Sequence, residues 1–209
     1  MEKRGEEDEY CSRVIHAQIK TMGNFYANVS VRTVNQAALI NALIELKRTA
    51  FVSAERGGWI VAYDKQLELA EPEEAETLTA TLSGRLSSVA VAASVYDDDV
   101  FWFCICDKGN HVDRYNSCPD YFEGTSSIPA GGNVRRIAEA LPLHDAEQLV
   151  NTVLHERHYV VETARHADLA SALDLPEFSV GLGYKYLQRG ELPVSLQGND
   201  LISVVPAGQ

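Results

Sequence analysis

Residues 89–106 read VAVAASVYDDDVFWFCIC, and they are the strongest indication of the fold class. Val89–Tyr96 is an apolar run typical of a strand, and Asp97–Asp99 is typical of a tight turn. The next run, Val100–Cys106, is apolar at every position rather than at alternate ones. A strand of this kind has to be covered on both faces. We therefore predict two helices on one face of a sheet and the C-terminal third of the chain on the other.

The segments before this stretch alternate between strand and helix signals. Residues 25–32 alternate apolar and polar side chains, which is the period of a half-buried strand. Helices are predicted after Asn35, a good N-cap residue, and from Pro72, because proline suits the first turn of a helix. Gly57 and Gly58 lie between two short apolar runs and predict a hairpin. Further strands are predicted at 49–54, 59–63 and 111–115.

The resulting order is β-α-β-β-α-β-β-β followed by helices. It predicts an α+β fold with a mostly antiparallel sheet of five to six strands. The first six elements match the βαββαβ ferredoxin-like type, with a hairpin that extends the sheet and a helical C-terminal part that follows.

The composition divides the chain into segments. Residues 1–9 are nearly all charged, and residues 123–132 are rich in Gly, Ser, Thr and Pro. Met22 lies just before the first predicted strand, so Met1 and Met22 are both candidates for the residue at which translation starts. The predicted segments are a flexible N-terminal extension (1–21), an α+β sheet domain (22–122), a linker (123–132), a mainly helical C-terminal subdomain (133–193) and a tail (194–209).

The charge balance restricts the partners. The 209 residues carry a formal net charge of −12, from 30 Asp and Glu against 18 Lys and Arg. The electrostatic field of this negative net charge repels phosphate backbones, so nucleic acid is not expected as a partner. A basic protein partner is compatible with the same field. No apolar run reaches the roughly 18 residues that a membrane span needs. Four cysteines are too few for a disulfide scaffold, so we expect reduced thiols and a cytoplasmic location.

Asp97, Asp98 and Asp99 form the first candidate metal site. Carboxylate oxygens are the ligands that Mg²⁺ and Ca²⁺ prefer. Three consecutive carboxylates do not converge on one ion within a tight turn, however, so a solvated turn is the favoured interpretation. A metal site here would need a partner from another segment, for which His111 is a candidate.

Histidines and cysteines supply the other candidates. His155 and His158 are three residues apart, whereas the metalloprotease motif places its histidines four apart. His166 falls on an apolar helical stripe, which favours a buried, hydrogen-bonded side chain. Cys104 and Cys106 share one face of a strand and fit a zinc site poorly, so small buried side chains are favoured. No cofactor is expected.

The segment Asp113–Phe122 (DRYNSCPDYF) combines aromatic and polar residues as it leaves the last predicted strand. Large aromatic side chains are costly to expose together, so anchoring of the C-terminal part is one interpretation. A recognition surface is the other. The candidate partner-binding residues are Tyr115, Asn116, Asp120, Tyr121 and Phe122.

Several segments resemble those of an uncharacterised bacterial protein family. They are Met22–Tyr26 (MGNFY), Asp97–Trp102 (DDDVFW), Tyr115–Phe122 (YNSCPDYF), Arg165–Pro176 (RHADLASALDLP) and Gly181–Pro193 (GLGYKYLQRGELP). The resemblance implies that these segments belong to one protein unit that recurs in that family. The family has no assigned activity, so the resemblance implies no functional residue.

These observations favour a non-enzymatic protein-binding module, immunity-like or adaptor-like, with a partner of unknown identity. One alternative is a metal-dependent or other hydrolase whose site is assembled from separate segments, because such a site leaves no local motif. A second alternative is a structural subunit of a larger assembly.

Overall fold

The computed structural model describes residues 23–69, 71–124, 126–141 and 146–207, so the predicted extension 1–21 lies outside the described residues. Eight strands form one sheet in the order β7-β6-β5-β4-β1-β3-β2-β8, and the pairings are antiparallel. The strands are β1 (Tyr26–Arg32), β2 (Ala50–Ser53), β3 (Trp59–Asp64), β4 (Val89–Tyr96), β5 (Val100–Asp107), β6 (Asn110–Asn116), β7 (Ala130–Gly131) and β8 (Leu201–Val204).

The helices occupy both sides of this sheet. None of the helices in the described part of the chain is long and apolar enough to cross a membrane. The α-helices are α1 (Gln36–Glu45), α2 (Pro72–Leu86), α3 (Asp120–Glu123), α4 (Val134–Ala140), α5 (Glu147–Asn151), α6 (Glu162–Ala172) and α7 (Tyr184–Gln188). A π-helical turn is present at Thr152–Glu156.

The first two helices begin where the sequence predicts. The side chain of Asn35 accepts a hydrogen bond from the backbone N–H of Ala38 and caps α1. Pro72 occupies the first turn of α2, which is followed by Glu73 and Glu74 at the positive end of the helix dipole.

β5 is covered on both faces, as predicted. Trp102 and Cys104 point towards α1 and α2 and join an apolar core that includes Leu43 and Leu82. The alternate side chains of β5 point to the opposite face, where they pack with residues of the C-terminal helices. The C-terminal contribution to that second core includes Ile137, Leu141, Val153, Leu154, Leu169 and Leu173.

The sheet is wider than predicted, with eight strands instead of five to six. β7 lies inside the predicted linker 123–132, and β8 lies inside the predicted tail 194–209. Two to four residues are too few to show an alternating pattern, and their pairing depends on the neighbouring strands β6 and β2.

Candidate binding groove

A groove between α2 and β6 is the principal candidate site. The two N-terminal helices cover the sheet as far as β5, and β6 extends beyond them. Asn116 and Arg114 are paired with Trp102 and Cys104 of β5, so they lie on the same face as the helices. Arg114 and His111 are exposed, and Asn116 is half-buried. The helix-side face of β6 is therefore polar and open.

One end of the groove is closed by a contact between two glycines. A Cβ atom added to Gly84 of α2 would lie 3.3 Å from the Cα atom of Gly109 in the β5–β6 turn. The backbone N–H of Gly109 also donates to the hydroxyl of Ser83 at 3.1 Å. Since Gly109 has a φ of +86°, glycine is the residue this turn favours. The C-terminal end of α2 is thereby held against the sheet.

The groove opens at the N-terminal end of α2. A cavity of about 350 Å³ lies there, between the first turn of the helix and the loop that follows β6. Its base is apolar and aromatic, and its rim is polar. The lining residues are Glu71, Pro72, Glu73, Trp102, Arg114, Asn116, Pro119, Phe122, Ala130 and Gly131.

A shallower depression of about 550 Å³ continues from this cavity along α2. The two share Glu73 and Arg114 in their walls, so they form one continuous groove. The depression is lined by the polar and small residues of α2 and by the start of β6. These residues are Glu73, Glu76, Thr77, Ala80, Thr81, Gly109, His111 and Arg114.

The groove carries carboxylates with and without cationic partners. Glu76 lies 3.4 Å from His111 and 3.7 Å from Arg114. Within the described part of the chain, Glu71 and Glu73 have no ion pair. Burial, with a smaller contribution from these two carboxylates, raises the pKa of Tyr96 to about 12. The open end of the groove is therefore the more negative end.

A cluster of four aromatic rings adjoins the open end through Phe122, which lines the cavity. The ring of Tyr96 lies 5.2 Å from Phe25 and 4.7 Å from Phe122, in edge-on geometry. Tyr121 lies 5.0 Å from Phe122, and half of its surface (50%) is exposed. The exposed ring of Tyr121 is thus supported by the rings of Phe122 and Tyr96.

The predicted partner-binding residues divide into two groups. Asn116 and Phe122 line the cavity, while Asp120 and Tyr121 are exposed beside it. Tyr115 is fully buried, and its hydroxyl donates to the carbonyl of Leu154 at 2.9 Å. Tyr115 anchors the C-terminal helices and cannot contact a partner, because its side chain points to the opposite face of the sheet.

The aspartate turn is a structural junction. Asp97 accepts a hydrogen bond from the N–H of Gly23, and Asp98 accepts one from Asn24 and another from Thr163. The carboxylates of Asp97 and Asp98 are therefore engaged with backbone donors. Asp99 is exposed.

The predicted histidines do not converge. His155 is hydrogen-bonded to the carbonyl of Gly132 at 2.9 Å, and His158 is exposed. His166 is buried, with its Nδ1 atom 2.8 Å from the hydroxyl of Tyr26. Across the described ranges, no group of three His, Cys, Asp or Glu side chains could hold a metal ion. His111 alone of these candidates lies in the groove.

Two cysteines lie beneath the groove. Cys104 and Cys106 are buried free thiols on the helix side of β5. Burial raises the pKa of Cys104, which opposes thiolate formation. Cys118 is half-buried and packs against the helix-side core.

The sequence alone did not identify Glu71, Glu73, Trp102 and Arg114 as residues of a site. Glu73 lies in a predicted helix start and Trp102 in a predicted buried strand, and neither pattern indicates a site. A usable signal was present in β6, since it alternates polar residues with the inward-facing Tyr115. That alternation indicates a strand with one uncovered face.

Comparison with protein-family models, with curated proteins and with solved structures gave no match for this chain. The site is therefore defined by its geometry.

Proposed function

We propose that this protein is a non-enzymatic binding module that recognises a basic segment of another protein in the groove between α2 and β6. The observation that carries the proposal is the open end of the groove. There an aromatic base, formed by Trp102 and Phe122, lies beside two carboxylates, Glu71 and Glu73, that have no ion pair within the described residues.

This arrangement suits a lysine or arginine side chain. The aliphatic stem of such a side chain can lie on the aromatic base while its charged end reaches the carboxylates. Arg114 faces Glu76 at 3.7 Å, so part of its charge is already balanced. The net charge of −12 would speed the approach of a basic partner at low salt.

The proposal extends to the fold type and the biological setting. A ferredoxin-like βαββαβ unit is supported by the strand order β4-β1-β3-β2 and by α1 and α2 on one face. An adaptor-like or immunity-like role and membership of the uncharacterised bacterial family belong to the same proposal. A cytoplasmic location is supported by the free thiols of Cys104, Cys106 and Cys118.

The test uses the full chain and a panel of immobilised synthetic peptides. One set places Lys or Arg beside aliphatic and aromatic residues, and a matched set carries Asp or Glu at the same positions. We expect binding to the basic set only, with an affinity that falls as salt is raised. Binding that ignores peptide charge contradicts the proposal.

Two charge-reversed variants locate the binding site. Glu73→Lys is expected to weaken binding of the best basic peptide by about tenfold, which corresponds to about 1.4 kcal/mol. Glu147→Lys is the matched control, because Glu147 is also in the first turn of a helix, α5, and lies outside the groove. Equal losses in the two variants would show that only overall charge matters and would contradict the groove as the site.

The hydrolase alternative has no specific observation in its favour among the described residues. Its histidine candidates are held apart in separate structural contacts.

A further inference from the structure

The strand β8 forms one end of the sheet. It pairs with β2 on one side, and in the described part of the chain no strand pairs with its other side. An open edge presents unpaired backbone donors and acceptors, which can template the addition of another strand.

The register of β8 shows which backbone groups face outwards. Leu201 is paired with Ser53, and the carbonyl of Asp200 accepts from the N–H of Ala54 at 2.6 Å. In an antiparallel ladder, the residues that bond to the neighbouring strand alternate with those that point away from it. Ile202 and Val204 therefore bond to β2, and the backbone groups of Leu201 and Ser203 point outwards.

Residues 201–207 carry no charged side chain, and charged side chains are one common protection against strand addition. These residues read LISVVPA, in a chain with a net charge of −12. Ile202 is 40% exposed, and Val205, which follows the strand, is 60% exposed. The opposite edge strand, β7, has only two residues and offers a much shorter template.

We propose that β8 pairs antiparallel with β8 of a second copy of this chain, about a two-fold axis that passes through Ser203. When the outward-pointing backbone groups of residues 201–205 in both strands pair with each other, Ser203 lies opposite Ser203 of the second copy. Ile202 then lies opposite Val204, and Leu201 lies opposite Val205. Aliphatic side chains therefore meet aliphatic side chains on both faces of the joined sheet.

A second copy fits this edge better than a charged partner. The strip carries no carboxylate that would hold a basic segment, and it lets two acidic chains approach without like charges directly opposite each other. α1 contacts β8, and Ile44 of α1 is 44% exposed, so the helix can extend the contact beyond the strands. The binding groove lies at the other end of the sheet, so dimerisation does not depend on the proposed function.

The mass of the full chain in solution tests the proposal. Sedimentation equilibrium from low to high micromolar concentration is expected to show a shift from the chain mass of 23.0 kDa to twice that mass. A mass of one chain at every concentration would overturn the proposal.

Charge variants at Ser203 test the axis itself. Ser203→Lys and Ser203→Glu each place like charges opposite each other, so each variant is expected to remain monomeric. The change should leave the β8–β2 ladder intact, because the backbone groups of Ser203 point outwards and its side chain is exposed. Ser203→Thr is the control and is expected to dimerise as the unmodified chain does.

An equimolar mixture of the Lys and Glu variants gives the sharpest result. Opposite charges then face each other, and the mixture is expected to form a heterodimer of twice the chain mass. Circular dichroism of each variant checks that the fold is unchanged. A mixture that stays monomeric, or a Ser203→Lys variant that still dimerises, would overturn the proposed pairing.

Discussion

At the scale of single residues, Asp98 shows how a turn residue can organise distant segments. It accepts hydrogen bonds from the N–H of Asn24, before β1, and from the N–H of Thr163, in the first turn of α6. The N-cap position of α6 is Val161, whose side chain has no hydrogen-bond acceptor. Asp98 therefore supplies the cap from a turn more than sixty positions earlier in the chain, and its negative charge suits the positive end of the helix dipole.

Asp98→Ala is expected to lower the free energy of unfolding by about 2–3 kcal/mol, because it removes charge-assisted hydrogen bonds to two segments. Urea unfolding monitored by circular dichroism measures the loss. Asp99→Ala in the same turn is the control and is expected to change stability by less than about 0.5 kcal/mol. Similar effects from the two variants would contradict the capping role.

At the scale of secondary-structure elements, the pairing of β6 with β7 shapes the groove. Gly131 of β7 has a φ of +81°, and an added Cβ atom would lie 1.9 Å from the carbonyl oxygen of Arg114. The next residue, Gly132, donates its N–H to the same carbonyl at 2.8 Å. Only glycine can bring the backbone this close to β6 and complete the wall of the cavity.

Gly131→Ala is expected to cost at least about 3 kcal/mol of unfolding free energy, or to detach β7 with less loss of global stability. Hydrogen exchange distinguishes the two results, since detachment removes protection from the amide of Gly132. Gly124→Ala is the matched control. Gly124 also has a positive φ, of +62°, but its added Cβ atom meets nothing within 4 Å. Its expected cost is only about 1 kcal/mol. An equal cost at both glycines, with the Gly132 amide still protected in Gly131→Ala, would contradict the close approach.

At the scale of the whole molecule, a buried pair joins the sheet to the C-terminal helices. Tyr26 of β1 and His166 of α6 are hydrogen-bonded at 2.8 Å, and the imidazole also stacks on Phe101 of β5 at 5.3 Å. Burial lowers the pKa of His166 from 6.5 to about 3, so the ring is neutral in the folded protein at ordinary pH.

This pKa makes global stability depend on pH in a defined direction. The unfolded chain binds a proton on His166 that the folded chain rejects, so this contribution to stability is complete above about pH 6.5 and is lost as the pH falls towards about 3. Between about pH 7.5 and about pH 5.5, the loss from this single group is expected to be about 1.4 kcal/mol.

Variants isolate this contribution from the other titrating groups. His166→Asn is expected to be less stable at pH 7 but to lose about 1.4 kcal/mol less than the unmodified chain over the same pH interval. His158→Asn is the control, because His158 is exposed, and it is expected to retain the full pH dependence. Chemical unfolding at several pH values measures these differences, and an unchanged pH dependence in His166→Asn would contradict the burial of a neutral ring.

Local sequence signals are sufficient to predict several of the secondary-structure elements. The period of residues 25–32, the cap at Asn35 and the proline at Pro72 identified β1, α1 and α2, because each signal acts within a few residues. The prediction that β1 is half-buried was wrong, because its polar residues Asn28 and Ser30 are buried as well. The uniformly apolar run Val100–Cys106 also predicted a strand covered on both faces, because a strand buried on both faces carries apolar side chains at every position.

The width of the sheet and the position of the groove depend on packing between distant segments. β7 and β8 are too short to form without the neighbours that pair with them, and the groove combines Glu71, Trp102 and Arg114 from three separate elements. The role of Asp98 likewise depends on Thr163, far along the chain. Local sequence patterns indicate backbone propensity and burial. A site depends on the distances between segments, and these distances are set only when the chain is packed.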